Sequence, residues 1–443
     1  MQVKIPMRKM VEAVLLAASL TASAQAQNAA PAKSAAEVKS ELKFVVIVSR
    51  HGVRSPTGRS DQLNSYARQP WPVWSAPPGY LTEHGAKLMT LFGQYDRELF
   101  AAEGLLAADG CADAHAIRIV ADSDQRTRET GNALAAGLAP GCQVSVTARP
   151  EGTPDPLFHP LEAGVGKPDK QLATAALAGR IGANPKQLVE AYRPQLEALE
   201  SVLTSDGSNQ DCQKSKSPAV QSLFDVPVSI APGNGNHPVE FSSPLSLAAT
   251  MAEDMLLEYT EGMEACNVGW GRVNRATLSE LMQLHEVHED LGQRTQYVAR
   301  AQASNLLQRV FDSLKQAGGQ KAAKSLTAAN DKLLILVGHD TNIANIAGAL
   351  GISWVIDGRR DDTPPGGALE FELWKDSAGQ YSVRLFYTAQ TLDQMRDAAP
   401  LSPANPPERV PVFIPGCSRA DFSCDWPSFE KAMTAAIAPD FVK

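Results

Sequence analysis

Two unbroken apolar runs constrain this chain more than any other feature. Lys43 to Ser49 (KFVVIVS) and Leu333 to Val337 (LLILV) lack the alternation of a strand with one wet face. Runs of this kind mark strands buried on both sides, which occur in α/β proteins whose sheets are covered by helices. Each run stops at a chemically loaded segment. Arg50-His51-Gly52-Val53-Arg54-Ser55-Pro56-Thr57 follows the first, and Gly338-His339-Asp340-Thr341 follows the second. In open α/β sheets the ligand crevice lies beyond the carboxyl ends of the strands. Two segments far apart in sequence are therefore predicted to meet at one site.

The rest of the pattern extends this reading. Thr82 is placed to cap a helix running to Leu99, and Asp124 to cap one running to about Leu138. Ala116 to Ala121 and Val144 to Ala148 read as further strands, as do Ala368 to Trp374 and Tyr381 to Tyr387. A helix is expected from Thr341 to Leu350. Residues 186–317 are mostly helical in pattern, interrupted by a polar stretch at Gly233 to Pro238. Strands thus flank a helical middle, which predicts an α/β core (42–160 and 320–443) split by an inserted, mostly helical domain (161–319).

The first residues read as an address. Lys4, Arg8 and Lys9 precede a short apolar run, Ala13 to Leu20, and Ala24-Gln25-Ala26 fits a small-x-small cleavage site. The run is shorter than the roughly 20 apolar residues that span a bilayer. Residues 1–26 are therefore expected to be a cleaved signal peptide and 27–41 a loose leader. The mature protein would be periplasmic or secreted, with no membrane attachment. Six cysteines (Cys111, Cys142, Cys212, Cys266, Cys417 and Cys424) are an even set in an exported chain, which predicts three disulfides without fixing their pairing. No Cys-x-x-Cys occurs, against a zinc ribbon or a thioredoxin-type site. A formal net charge of −8 argues against a nucleic-acid partner, which would call for a basic face. A monomer is expected.

Two guanidiniums flank one imidazole in the first loaded segment. Arginine stays charged, and its planar donors match phosphate oxygens. Crowding Arg50 and Arg54 around His51 is unfavourable unless a multivalent anion binds there. Gly52 would let the backbone approach that ligand, and His51 could attack phosphorus as a nucleophile. A structural histidine between two solvated arginines is the plainer alternative; Gly52, Pro56 and the strand end favour the anion site.

Arg50-His51-Gly52-Val53-Arg54-Ser55-Pro56 resembles the Arg-His-Gly-x-Arg-x-Pro signature of histidine acid phosphatases, and His339-Asp340 resembles their late His-Asp pair. The likeness is greatest to the periplasmic phytases of enteric bacteria and runs from Leu42 to Cys424. It includes Ala121-Asp122-Ser123-Asp124-Gln125-Arg126-Thr127-Arg128, Pro154 to Phe158, Gly269 to Arg272 and Thr363 to Gly367. The resemblance implies a three-layer, mixed-sheet α/β core and a phosphoric monoester hydrolase that uses no metal or cofactor. It implies His51 as nucleophile and Arg50, Arg54, Arg126 and His339 as holders of the phosphate. Asp340 would protonate the leaving oxygen and later help water attack the phosphoenzyme. Thr57, Asp122, Glu253 and His285 would line the substrate pocket. It also implies Cys111–Cys142 and Cys417–Cys424 bridges, leaving Cys212 with Cys266. An acidic pH optimum is expected, because general-acid work by a carboxyl favours low pH.

Other readings remain open. A phosphate-ester binding module would share the arginines without using His51 or Asp340 for turnover. A mutase would use the same histidine, but export and disulfides speak against it. His285-Glu286-Val287-His288-Glu289-Asp290 suggests a metal cluster, yet its histidines stand at i and i+3 rather than the i and i+4 of a His-Glu-x-x-His helix. A solvated helical face is the expectation there. The resemblance implies phytate (inositol hexakisphosphate) as the substrate, with a glucose-1-phosphatase or a broad-specificity acid phosphatase as the alternative. The phytases carry lysine where this chain has Gly58, with Arg59 next, and methionine where it has Thr250. His339-Asp340-Thr341 leans toward phytate, and the loss of lysine toward a smaller ester such as a hexose 1-phosphate.

Overall fold

The computed structural model describes residues 40–58, 63–205, 212 and 220–443. The signal peptide, the leader through residue 39 and Arg59 lie outside the described residues. In chain order the main elements are β1 (Glu41–Arg50), α1 (Glu83–Ala102), β2 (Ile117–Ala121), α2 (Gln125–Leu138), β3 (Val146–Thr147), α3 (Lys170–Ile181), α4 (Pro185–Ala191) and α5 (Arg193–Thr204). A hairpin of β4 (Ser229–Pro232) and β5 (Val239–Ser242) follows, then α6 (Pro244–Thr260), α7 (Arg275–Gly292) and α8 (Gln296–Ala317). The chain continues through β6 (Leu333–Gly338), α9 (Asp340–Leu350), β7 (Val355–Ile356), β8 (Arg359–Arg360), β9 (Ala368–Lys375) and β10 (Tyr381–Ala389). It ends with α10 (Leu392–Arg396), β11 (Glu408–Pro411), β12 (Cys424–Asp425) and α11 (Trp426–Ala436).

Among the described residues the sheet is mixed, with order β11-β10-β9-β1-β6-β2-β3 and β12 paired to β10. β1, β6, β2 and β3 are mutually parallel; β9 runs antiparallel to β1 and continues an antiparallel meander. The apolar run of β1 is unbroken because both of its faces are covered. Phe44, Val46 and Val48 pack with α8, α9 and α11, while Val45 and Ile47 pack with α1 and α2. Full burial of each such side chain is worth about 1.5–3 kcal/mol. This is the expected three-layer α/β core. A separate apolar cluster joins α3 to α7 with Leu88 of α1 and with Leu392 and Met395 of α10. α8 differs from the helices before it: Leu306, Val310 and Leu314 belong to the cluster that covers the sheet.

Local differences from the sequence reading have physical causes. Thr82 caps α1 as expected, accepting from the Gly85 amide at 2.8 Å. Asp124 stands at the N-cap of α2 but makes no cap bond; it pairs instead with Arg126 at 2.5 Å, a charged and therefore stronger partner. The polar stretch at Gly233 to Pro238 is the turn between β4 and β5. The strand expected at Val144 to Ala148 shortens to an edge pair. The three disulfides join Cys111–Cys142, Cys212–Cys266 and Cys417–Cys424. Among the described residues no helix is long and apolar enough to cross a membrane.

Candidate active site

Register alone builds the site. Arg50, the last residue of β1, pairs with Gly338, the last of β6, and Ala121 of β2 pairs with Val337. Three neighbouring parallel strands thus end level and deliver His51, His339 and Asp122 side by side. The His51 amide donates to the Gly338 carbonyl at 2.9 Å, and the Gly366 amide donates to the His51 carbonyl at 2.9 Å, so His51 is pinned by the end of β6 on one side and by the turn before β9 on the other. The imidazole is buried, and its Nδ1–H donates to the Gly52 carbonyl at 2.8 Å. That bond fixes the tautomer and leaves the Nε2 lone pair free. Burial, reinforced by Arg50, Arg54 and Arg126, holds the His51 pKa well below the usual imidazole value, so the ring stays neutral in acid.

Gly52 corrects one expectation. A Cβ at this position would meet Met89 Cγ at 2.8 Å and the Gly85 carbonyl oxygen at 3.1 Å. The missing side chain therefore serves close packing on α1, rather than backbone approach to a ligand.

The cations are held in place by carbonyls and carboxylates. Arg50 is fully buried; Nη1 donates to the Thr363 carbonyl at 2.6 Å, and Nη2 lies 2.5 Å from Glu253 and 2.9 Å from Asp340. Arg54 Nη2 lies 3.0 Å from the same Glu253 oxygen. Arg126 Nη2 lies 3.3 Å from His339 Nδ1 and also pairs with Asp124. Thr57 is exposed next to Gly79, whose φ of +78° favours glycine and whose carbonyl accepts from Arg126 Nη1 at 3.5 Å. Glu253, expected merely to line the pocket, is the shared counter-ion of two guanidiniums.

Asp340 begins α9, and its carboxyl is held far below the usual range. Burial pushes it up, but Arg50, His285, Arg54 and His339 together outweigh burial. His285 comes from α7 and brings its imidazole within 4.8 Å of the Glu253 and Asp340 carboxylates. His288, one turn on, instead stacks on Phe241 with ring centroids 6.3 Å apart. The face expected to be solvated is only partly so: His285 is buried, Glu286, His288 and Glu289 are half-buried, and Asp290 keeps 39% of its side chain exposed. Burial raises the Glu289 carboxyl to about 8 and lowers the His288 pKa to about 4.

His339 Nε2–H donates to Asp122 Oδ2 at 2.6 Å, which leaves Nδ1 turned toward Arg126. Burial and Arg126 lower the His339 pKa while Asp122 supports its protonated form. One residue here escaped the sequence reading. His159 Nε2 lies 2.9 Å from Asp122 Oδ2 and 3.3 Å from His339 Nε2. Pro154 to Phe158 drew notice as a family stretch, and the imidazole directly after it was the available signal.

Comparison with known proteins converges on one family. Residues 41–388 match the model of the histidine phosphatase superfamily, branch 2. The chain is 37% identical to phytase AppA of Escherichia coli (strain K12), over 92% of this chain and 95% of the relative. It is 31% identical to a glucose-1-phosphatase of Providencia rettgeri, over 89% and 92%. Hafnia alvei phytase in complex with tartrate superposes with a TM-score of 0.83 at 36% identity, covering 91% of this chain and 99% of that one.

Proposed function

The chain belongs to branch 2 of the histidine phosphatase superfamily, and from that premise we propose that it is an exported acid phosphatase that hydrolyses phytate through a phosphohistidine at His51. Its relatives are phosphoric monoester hydrolases, and the same reaction class holds for this chain. The observation that carries the mechanism is the His51 Nδ1–H bond to the Gly52 carbonyl, which leaves Nε2 as an unprotonated nucleophile among three guanidiniums.

In this reading Arg50, Arg54 and Arg126 cover the charge on the equatorial oxygens while Nε2 attacks in line. His339 donates through Nδ1, which requires the doubly protonated ring that Asp122 stabilises. Asp340 supplies the leaving oxygen with its proton. The carboxyl is ionised beside Arg50, so its protonation has to come with substrate. An entering phosphate adds like charge and draws off the guanidinium at 2.9 Å, and both changes raise the carboxyl pKa. At acid pH the ester arrives with a proton of its own, since its second pKa is about 6. Water, activated by the same carboxylate, then attacks the phosphohistidine and returns Nε2 to the neutral ring. Thr57, Glu253 and His285 are assigned to the pocket wall, while Asp122, expected there too, lies fully buried behind His339.

The division into a sheet core (42–160, 320–443) and a helical insertion (161–319) belongs to the proposal, with α8 (Gln296–Ala317) taken into the core because its apolar face packs in the cluster that covers the sheet. Three disulfides and the absence of a membrane-length apolar helix among the described residues fit export, and we assign the protein to the periplasm or medium. Gly58 and the likeness to a glucose-1-phosphatase support a second reading, a preference for hexose 1-phosphates. The deciding experiment compares kcat/KM for phytate, glucose 1-phosphate and an aryl phosphate at about pH 4–5, where a carboxyl can act as acid. Phytate is expected to lead. Enzyme quenched in alkali, where a phosphohistidine survives, should carry acid-labile phosphate on His51, and absence of that adduct in a turning-over enzyme would sink the mechanism.

A further inference from the structure

We propose that His159, His339 and Asp122, with Asp124 beside them, form a binding site for one divalent cation of the zinc class. The four residues offer one ligand atom each, all within 4.8 Å of one another. The two imidazole nitrogens stand 3.3 Å apart. Two nitrogens bound to one tetrahedral Zn2+ at about 2.0–2.1 Å are separated by roughly that same distance. Asp122 Oδ2 already lies 2.6 Å from one nitrogen and 2.9 Å from the other, so a cation at the centre needs shifts of only a few tenths of an ångström. Asp124 Oδ2 lies 3.8 Å from His339 Nε2 and is placed to close the set.

A second feature of the same residue points to a ligand. Asp122 is fully buried, and its Oδ1 has no hydrogen-bond partner. A buried carboxylate oxygen without a partner is unfavourable, and a bidentate or bridging role toward a cation relieves it. Two imidazoles and two carboxylates suit Zn2+ or Cu2+ rather than the all-oxygen preference of Mg2+. A third of the His159 side chain and of the Asp124 side chain reaches solvent, which gives the ion a way in. Binding releases the Nε2 protons of both rings to solvent, as metal binding to imidazole must.

The ion would sit behind His339, on the ring edge opposite Nδ1. Two added positive charges there hold product phosphate more tightly. This consequence rests on the proposed phosphate site; the binding itself does not. The cation is therefore a regulator of turnover, not a participant in it.

The test uses the mature protein at about pH 6.5, the ordinary imidazole pKa, with an aryl phosphate as substrate because phytate itself chelates metals. Equilibrium dialysis should give one Zn2+ per chain, and Zn2+ should lower kcat together with the inhibition constant of inorganic phosphate, reversibly with a chelator. Mg2+ should do neither. His159→Asn should weaken Zn2+ binding and inhibition by tenfold or more, while exchange of the exposed, remote His237 (His237→Asn) should change neither. Zn2+ binding that survives intact in His159→Asn overturns the site and points to Glu253, His285 and Asp340 instead. Binding that depends on His159 but leaves phosphate inhibition unmoved overturns the regulatory role alone. Circular dichroism of His159→Asn separates loss of the ion from loss of the fold.

Discussion

His51 and His339 face each other edge to face, with ring centroids 5.6 Å apart, because the residues before them, Arg50 and Gly338, are register partners in adjacent parallel strands. A slip of one residue in that pairing would turn one imidazole to the opposite face of the sheet. The catalytic geometry is thus a property of the β1–β6 ladder, and the apolar runs that bury this ladder are part of the machinery.

Replacing Asp340 by asparagine should separate chemistry from binding. Asparagine keeps the shape but cannot give a proton. For phytate, whose leaving alkoxide is poor, kcat should fall by about 10²–10⁴. For p-nitrophenyl phosphate, whose leaving phenolate needs little help, formation of the phosphoenzyme should fall far less. Rapid-quench measurement of the adduct with both substrates checks this; equal losses would take the acid role away from Asp340.

Much of this site was legible in the sequence, for a physical reason. A strand buried on both faces must be apolar throughout, so its end is visible as the first charged residue, and Arg50-His51 and His339-Asp340 both stand at such ends. What the sequence could not display was mutual neutralisation. Nothing local to Glu253 says that it serves Arg50 and Arg54, which lie 203 and 199 residues away. Nothing local to His159 says that it shares a carboxylate oxygen with His339. The segment His285 to Asp290 looked like a solvated face because its charges follow helical spacing; spacing carries no information about which other segments cover a helix.

Glu253→Gln should tighten anion binding and weaken the fold together. The carboxylate compensates two guanidiniums at 2.5 and 3.0 Å, so its loss releases Arg54 and leaves Arg50 with Asp340 as its carboxylate partner, and both become stronger partners for phosphate. The inhibition constant of inorganic phosphate should fall roughly tenfold, equivalent to about 1.4 kcal/mol. With no ligand the two cations share less negative charge, with Asp340 remaining beside Arg50, which costs a few kcal/mol, up to about 3–5 for a fully buried pair. The melting temperature should drop in buffer and recover on adding phosphate. A drop that phosphate fails to reverse would count against the shared counter-ion role.

The disulfides should differ in value according to the loop each closes. Cys212–Cys266 spans 54 residues and Cys417–Cys424 spans 7. On the chain-entropy model the longer loop contributes about 4 kcal/mol and the shorter about 2.5. Paired serine replacements followed by denaturant titration test the order. Greater destabilisation on losing the short loop would show that native contacts, rather than unfolded-state entropy, set the values.

Asp254 contributes stability in acid that is lost on approach to neutrality. Burial, with the neighbouring Glu253 charge, raises its carboxyl to about 7 from the ordinary 3.8. Below pH 3.8 the group is protonated whether the chain is folded or not, and its contribution is flat. Between 3.8 and about 7 the folded chain keeps the proton while the unfolded chain has lost it. Unfolding then releases a proton, so stability falls as pH rises through that window. Above it both states are ionised, and the loss is complete at an order of 4 kcal/mol for a shift of this size. Glu258 and Asp96, both buried and raised well above the usual range, push in the same direction. Asp254→Asn removes the titrating proton and should flatten the profile, leaving the variant more stable than the parent at pH 7 relative to pH 4. Chemical denaturation at a series of pH values measures this directly. An Asp254→Asn profile with the same slope as the parent between pH 4 and 7 would place the Asp254 carboxyl in water rather than on the buried face of α6.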